Sequence, residues 1–262
     1  MEVKEPGPLD GPRQEIRCGD ATSIVKFRRA KNSDLVFMDP PYNIDIDYGD
    51  HNHLTDRRPR DEYLASVADW IYAAIGVLRP SGILAVLISE AYAMEYERIL
   101  SGCDLVKVNR IIWHEKFAQY SETKFTNEHR HLFLYRKPGL GERTWNTDAE
   151  YVRVPSARML AGDKRAKGPR VPGDVWDCPR LPGNANARVD WHPCQLHPAP
   201  LRRLVSVFTN EGGRVSELFS GSGSLAVVCK ELNRHYVGVD ASKKFVVSAR
   251  KRIERYEHYV EE

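Results

Sequence analysis

The sequence predicts an α/β fold with a doubly wound, mainly parallel sheet. Short, continuous apolar runs alternate with stretches of helical periodicity through most of the 262 residues. Two such runs end in loops of unusual composition, Asp39-Pro40-Pro41-Tyr42 and Ser220-Gly221-Ser222-Gly223.

Leu35-Val36-Phe37-Met38 is the first buried strand, and it runs into the rigid Asp-Pro-Pro-Tyr loop. In 61–78, Leu64, Val67, Ala68, Ile71, Ile75 and Leu78 share one helical face. Arg79-Pro80-Ser81-Gly82 stops that helix. A strand at 83–89, a helix at 90–100 and strands at 105–113 and 132–135 follow. Between Gly139 and Gly183 the rhythm breaks; Pro, Gly, Arg and Lys are frequent there. It resumes with a helix at 201–208, a strand at 214–219, a helix at 222–232, a strand at 236–240 and a basic helix at 242–256. Residues 1–15 are polar, hold no apolar signal stretch and read as a flexible lead-in.

Hydrophobic residues make up 42% and charged residues 29%, a globular composition with material for one sizeable core. The five cysteines are scattered and never form a C-x-x-C pair, which speaks against a disulfide framework or a zinc site. The most apolar run, 83–88, is too short to span a bilayer. A cytoplasmic protein with no membrane partner is expected. Residues 107–180 hold 15 Lys plus Arg against 9 Asp plus Glu, so the rest of the chain is net acidic. A basic central segment fits a phosphate-facing surface, although a solvated loop has the same composition.

The glycine turn 217–224 lies between a strand and a helix. Glycines there let backbone approach a ligand, and the helix start offers unpaired N–H groups. Asp240, 19 residues after Gly221 and at the end of the next strand, has the spacing of an acid that holds ribose hydroxyls. The turn alone does not separate a dinucleotide from another nucleotide-like cofactor.

The Asp-Pro-Pro-Tyr loop is more specific. An exocyclic amine on adenine or cytosine is a poor nucleophile, because its lone pair is conjugated into the ring. Two acceptors aimed at its N–H bonds favour a tetrahedral nitrogen with a freer lone pair. Asp39 supplies a carboxylate and Pro40 a carbonyl; Pro40 and Pro41 stiffen the loop, and Tyr42 can stack on the base. A base within a duplex must flip out to reach such a pocket.

With these motifs the chain resembles the amino-methylating DNA methyltransferases in which the catalytic motif precedes the cofactor motif (the β arrangement). The resemblance covers about 16–140 and 174–256. It is carried by Cys18-Gly19-Asp20-Ala21, by Asp39-Pro40-Pro41-Tyr42-Asn43 and by Phe125-Thr126-Asn127-Glu128-His129. Asp174-Val175-Trp176, Trp191-His192-Pro193-Cys194-Gln195-Leu196 and the glycine turn complete it. It implies a Rossmann-like methyltransferase sheet with permuted motif order and an inserted basic recognition region. The catalytic half would be 16–140, a target-recognition segment 141–190, and the cofactor half 191–262.

The resemblance further implies S-adenosylmethionine as cofactor, held by Asp20, Asp39, His192, Glu217, Phe219, Ser220, Gly221, Ser222, Gly223 and Asp240. Asp39, Pro40, Pro41 and Tyr42 would be catalytic. Asn43, Arg153, Arg158, Lys164, Arg165, Lys167 and Arg170 would contact nucleic acid. The expected partner is double-stranded DNA, with a homodimer and a cognate restriction nuclease as further possibilities. Family members with Asp before Pro-Pro-Tyr favour adenine N6. The family usually has Asp-Pro-Phe where this chain has Glu217-Leu218-Phe219, and Glu217 keeps the carboxylate on a longer arm.

The alternatives are cytosine N4 methylation, RNA methylation and a non-catalytic DNA-binding scaffold. Pro193-Cys194 resembles the nucleophile of cytosine C5 enzymes, but it precedes the glycine turn, so Cys194 reads as a packing or pocket residue. His114, His129 and His131 lack the H-E-x-x-H spacing; no metal is expected, and these histidines read as surface or nucleic-acid-facing. The loop 44–60 is expected to close over the flipped base.

Overall fold

The computed structural model describes residues 12–48, 56–115, 122–182, 185 and 188–256. One eight-stranded sheet organises them, in the order β1-β8-β7-β2-β3-β5-β4-β6. The strands are β1 (Gln14–Cys18), β2 (Ser33–Met38), β3 (Leu78–Ser89), β4 (Val106–His114), β5 (His129–Arg136), β6 (Val175–Asp177), β7 (Arg214–Glu217) and β8 (His235–Asp240). Only β5 runs against its neighbours; every other pairing is parallel. The helices are α1 (Arg60–Val77), α2 (Ala93–Ser101), α3 (Ala157–Leu160), α4 (Pro198–Phe208), α5 (Ser224–Glu231) and α6 (Lys243–Arg255).

Strand alternation divides the core into two. Leu35, Phe37, Ile83, Ala85, Leu87, Leu132 and Leu134 face one layer, with residues of α4, α5 and α6. Val36, Met38, Leu84, Val86, Ile88, Phe133 and Tyr135 face the other, with residues of α1 and α2. Where the sheet is covered on both faces it has no polar side, which is why β2, β3 and β5 hold unbroken apolar runs.

Four expectations need correction. The lead-in is shorter than 1–15: Gln14 and Glu15 already belong to β1, which pairs with β8 at the sheet edge. Ile16 is the only fully buried residue of β1, so no apolar run announces the strand. The helix of 61–78 gives way to β3 at Leu78 without a break. Arg79-Pro80-Ser81-Gly82 forms a bulge inside β3, opposite Asp34 of β2. Ser81 takes a left-handed φ of 62°, its amide donates to the Lys137 carbonyl (2.9 Å) and its hydroxyl to that of Gly141 (2.7 Å).

The 141–190 segment is not uniformly irregular. Asn146 caps the end of α4, donating its side-chain amide to the Ser206 and Thr209 carbonyls, and Val152 enters the core. Residues 175–177 form β6. What projects is the basic loop between Val154 and Arg170, closed by two backbone hydrogen bonds of 2.8 Å. Finally, α4 starts earlier than Leu201, because His197 Nδ1 accepts the Ala199 amide and caps the helix.

No helix among the described residues is long and apolar enough to cross a membrane.

Candidate active site

Parallel strands gather their carboxyl ends at one edge of the sheet, and a cavity of about 1060 Å³ opens there. Because β2 and β7 are neighbours, the Asp-Pro-Pro-Tyr loop after β2 and the glycine turn after β7 share that cavity, although about 180 residues separate them. Asp39, Pro40, Pro41, Tyr42, Asp20, His192, Glu217, Phe219, Ser220, Gly221, Ser222 and Asp240 all line it.

Gly223 does not. Its left-handed φ of 72° caps α5, and a Cβ there would lie 3.0 Å from that of Ala249, so it is a packing glycine between α5 and α6.

The glycine turn is held from two sides. Asp240 accepts the amides of Gly221 (2.7 Å) and Ser242 (2.9 Å). His192 lies over Gly221, packs edge-on against Phe245 at 4.7 Å, and accepts the Cys194 amide at Nδ1 (3.3 Å). Burial, then Arg252 and Arg188, bring its pKa down to about 4, so the ring is neutral at neutral pH. Asp20 accepts from the backbone and hydroxyl of Thr22 and so fixes the Gly19-Asp20 turn beside Asp240.

Glu217 is buried, and the Tyr236 hydroxyl donates to its carboxylate. Burial holds that carboxyl well above the usual range. Tyr236 also bonds Ser220 Oγ at 3.0 Å. Gly238 makes room for this group: a Cβ there would lie 2.2 Å from the Tyr236 oxygen. Phe219 packs edge-on against Trp70 at 4.9 Å.

On the other side, the Tyr42 hydroxyl donates to Asp39 Oδ1, and Arg130 Nη1 donates to the Tyr42 oxygen at 2.9 Å. Arg130 Nη1 lies 3.8 Å from Asp39 Oδ1, and Nη2 pairs with Glu115. Burial raises the Asp39 pKa, against the pull of Arg130 and of the Tyr42 hydrogen bond. The Tyr63 hydroxyl donates to the Pro41 carbonyl at 2.8 Å and steadies the loop.

Asn43, for which a nucleic-acid contact is expected, is tied into the fold. Its side chain donates to the Arg58 carbonyl (3.0 Å) and the Tyr92 oxygen (2.9 Å) and accepts the Arg58 amide. Together with buried Asp56, which accepts the amides of Asn43, Ile44 and Ile46, it closes the base of the 44–60 loop. Residues 49–55, on which the expected closure falls, lie outside the described residues.

None of the six expected basic contacts lines the cavity. All six are exposed; Arg153 pairs with Asp148 and Arg165 with Asp163. Among the described residues the cations lining the cavity are Lys124, Arg180, Arg188, Arg58 and Arg130, the last the most buried, and sequence reasoning singled out none of them. Cys194 is on the wall as expected, with its thiol pushed up to about 11 by burial and by Asp39, which is no setting for a nucleophilic thiolate.

Glu90, His129 and His131 form the one group among the described residues with metal-ligand proximity. Arg110 Nε donates to His131 Nδ1 (3.1 Å), so the neutral ring carries its proton on Nε2, facing Glu90. A metal-bound histidine instead donates from its outer nitrogen to an acceptor, so this trio is wired as an acid–imidazole pair. His131 is also not a surface residue, being only 2% exposed.

A carboxylate on a stiff loop, beside a backbone cradle with a ribose-spaced acid, can hold an amine against a nucleotide-like methyl donor. Residues 33–251 match the DNA methylase family (N6_N4_Mtase). The chain is 27% identical over 242 residues to the type II methyltransferase M.HpaI of Haemophilus parainfluenzae, spanning 92% of this chain and 74% of that protein. It is 25% identical over 266 residues to the DNA adenine methyltransferase YhdJ of Escherichia coli K12, spanning 97% and 87%. The solved PvuII cytosine-N4-specific DNA methyltransferase has the same fold, with a TM-score of 0.66 at 12% identity over 96% of this chain and 89% of that one. The chain therefore belongs to the DNA methylase family, the amino-methylating, S-adenosylmethionine-dependent DNA methyltransferases.

Proposed function

We propose that this chain methylates the N6 amine of an adenine flipped out of double-stranded DNA, with Asp39 and the Pro40 carbonyl as the two amine acceptors. The observation that carries the reading is the placement of Asp39 and the Gly221 turn in one cavity. S-adenosylmethionine supplies an electrophilic methyl group when bound. Gly221, whose missing side chain lets His192 pack directly on the turn, and Asp240 would hold it.

The remaining work belongs to the chain's own residues. Oδ1 of Asp39 is engaged by Tyr42, and Oδ2 makes no hydrogen bond among the described residues, so Oδ2 is the oxygen presented to the amine. Drawing electron density toward nitrogen needs no covalent intermediate, in keeping with the raised thiol pKa of Cys194. Tyr42, buried and bonded at its hydroxyl, supports the acceptor as well as walling the base pocket. YhdJ, named as an adenine enzyme, supports the choice of base. Lys124, Arg180 and Arg188 at the wall, and the 154–170 loop farther out, would meet phosphates. A homodimer rests on the family resemblance alone and is tested by light scattering. A cognate nuclease is tested by whether DNA from expressing cells resists type II cleavage.

Nucleoside mass spectrometry on unmethylated DNA treated with the protein and S-adenosylmethionine tests the reading, with Asp39→Ala alongside. N6-methyladenine from the unaltered protein alone is expected. N4-methylcytosine would move the target base; methylated RNA alone, or no product, would overturn DNA methylation by this chain.

A further inference from the structure

Arg130 is a buried cation that no motif announced. It stands second in β5, the one strand running against the sheet, so its end meets the cavity at the carboxyl ends of β2, β3 and β7. Its side chain is 18% exposed and its partner Glu115 8%. Glu115 also accepts from Arg180 Nε at 3.1 Å. The guanidinium lies about equally far from two rings, 6.0 Å from the centre of Tyr42 and 5.8 Å from that of Trp113. Its Nε–H is buried and has no hydrogen-bond partner among the described residues. Burying a cation with an orphaned donor is costly, and a stability role alone does not call for it.

The hydrogen bonds around it have a fixed direction. Arg130 can only donate, so the Tyr42 oxygen accepts from it and must send its own single proton elsewhere. That proton goes to Asp39 Oδ1. The chain Glu115–Arg130–Tyr42–Asp39 thus ends by occupying one carboxylate oxygen and leaving the other for the amine. We propose that Arg130 is a positioning residue for methyl transfer, which holds its positive charge beside Asp39 and, through Tyr42, aims the free Asp39 oxygen at the target amine. This rests on the reading of Asp39 as the amine acceptor.

A neutral Asp39 would be a poorer acceptor, and its surroundings push it that way. Burial does so first. Glu115, after β4, adds to it, and Glu217 at the end of β7, Cys194 of the His-Pro segment and Tyr48 also face it. Arg130, with the Tyr42 hydrogen bond, opposes them. Removing the cation raises the Asp39 pKa, so activity that needs the carboxylate fades at a higher pH as the solution is acidified. Removing the Glu115 charge has the opposite sign.

The test is the single-turnover methylation rate against pH, with S-adenosylmethionine affinity measured by calorimetry. Arg130→Met is expected to slow the step about 100-fold at neutral pH and to move the acid limb up by about one pH unit, with cofactor affinity within about twofold. Arg130→Lys, which keeps the charge, should recover about tenfold of that loss and most of the limb shift. Glu115→Gln should move the limb down, a result that mere loosening of the fold does not produce. Unshifted limbs in Arg130→Met and Glu115→Gln would overturn the proposal, as would equal damage by Met and Lys. Should Arg130→Met not fold, Arg130→Lys and Glu115→Gln decide by the same criteria. Full turnover by Asp39→Ala would instead remove the reading of Asp39, whatever Arg130 does.

Discussion

Gly221 and His192 pack so closely that a Cβ on Gly221 would lie 2.7 Å from His192 Nε2. Gly221 also holds a left-handed φ of 45°, so a side chain there is strained twice. Gly221→Ala should lower S-adenosylmethionine affinity at least about tenfold, since both penalties fall on the turn that would hold the cofactor. The double variant with His192→Ala relieves only the clash and should recover part of the loss. Calorimetry of the two variants checks this, and unchanged affinity in Gly221→Ala would remove the turn from the cofactor site.

Asp240 holds the turn and the start of α6 through the Gly221 and Ser242 amides. Each such bond to a charged acceptor contributes about 1.5–3 kcal/mol. Asp240→Ala should therefore weaken cofactor binding by about 10- to 100-fold while the methylation rate at saturating cofactor changes less. Asp240→Asn keeps one acceptor oxygen and should fall between. Titration of rate against cofactor concentration separates these outcomes.

His192 sets an acid limit on stability. Its folded pKa of about 4 lies below the ordinary histidine value, so the unfolded chain binds the proton more readily. Its contribution is present above pH ~6.5 and is lost as pH falls toward 4. The full shift corresponds to about 3 kcal/mol. Thermal melting between pH 7 and 4 should show this slope in the unaltered protein and a shallower one in His192→Asn. Equal slopes would mean the imidazole is solvated.

Tyr236 is the donor that makes buried Glu217 tolerable. Tyr236→Phe removes it and should destabilise the fold by about 1–3 kcal/mol, seen as a lower melting temperature. Adding Glu217→Gln, which can donate and accept for itself, should restore part of that loss.

The basic loop gives a salt-dependent expectation. Arg158, Lys164 and Lys167 are exposed, and their triple Ala variant should flatten the dependence of log K on log salt by about 0.9 per lost phosphate contact. An unchanged slope would leave phosphate binding to Lys124, Arg180 and Arg188 at the cavity wall.

The sequence by itself determined the strands that are buried on both faces, because a covered strand must be apolar at every position. It also pointed to the two loops that line the cavity, since four residues of the Asp-Pro-Pro-Tyr types at a strand end, together with a glycine turn between a strand and a helix and an acid after the next strand, are an uncommon combination. It did not show β1, whose one buried residue makes no pattern, nor the bulge at 79–82, whose Pro and Gly look like an ordinary helix stop.

Pairing between distant segments was decided only in three dimensions. Adjacency of β2 and β7 brings Asp39 beside Gly221, and the reversed direction of β5 carries Arg130 to the same edge. The same folding drew Asn43 and Gly223 into structural work and left the six basic residues outside the cavity. A motif records what a residue can do locally. Which groups share a low-dielectric pocket, and so shift one another's charge, depends on contacts between residues far apart in the chain.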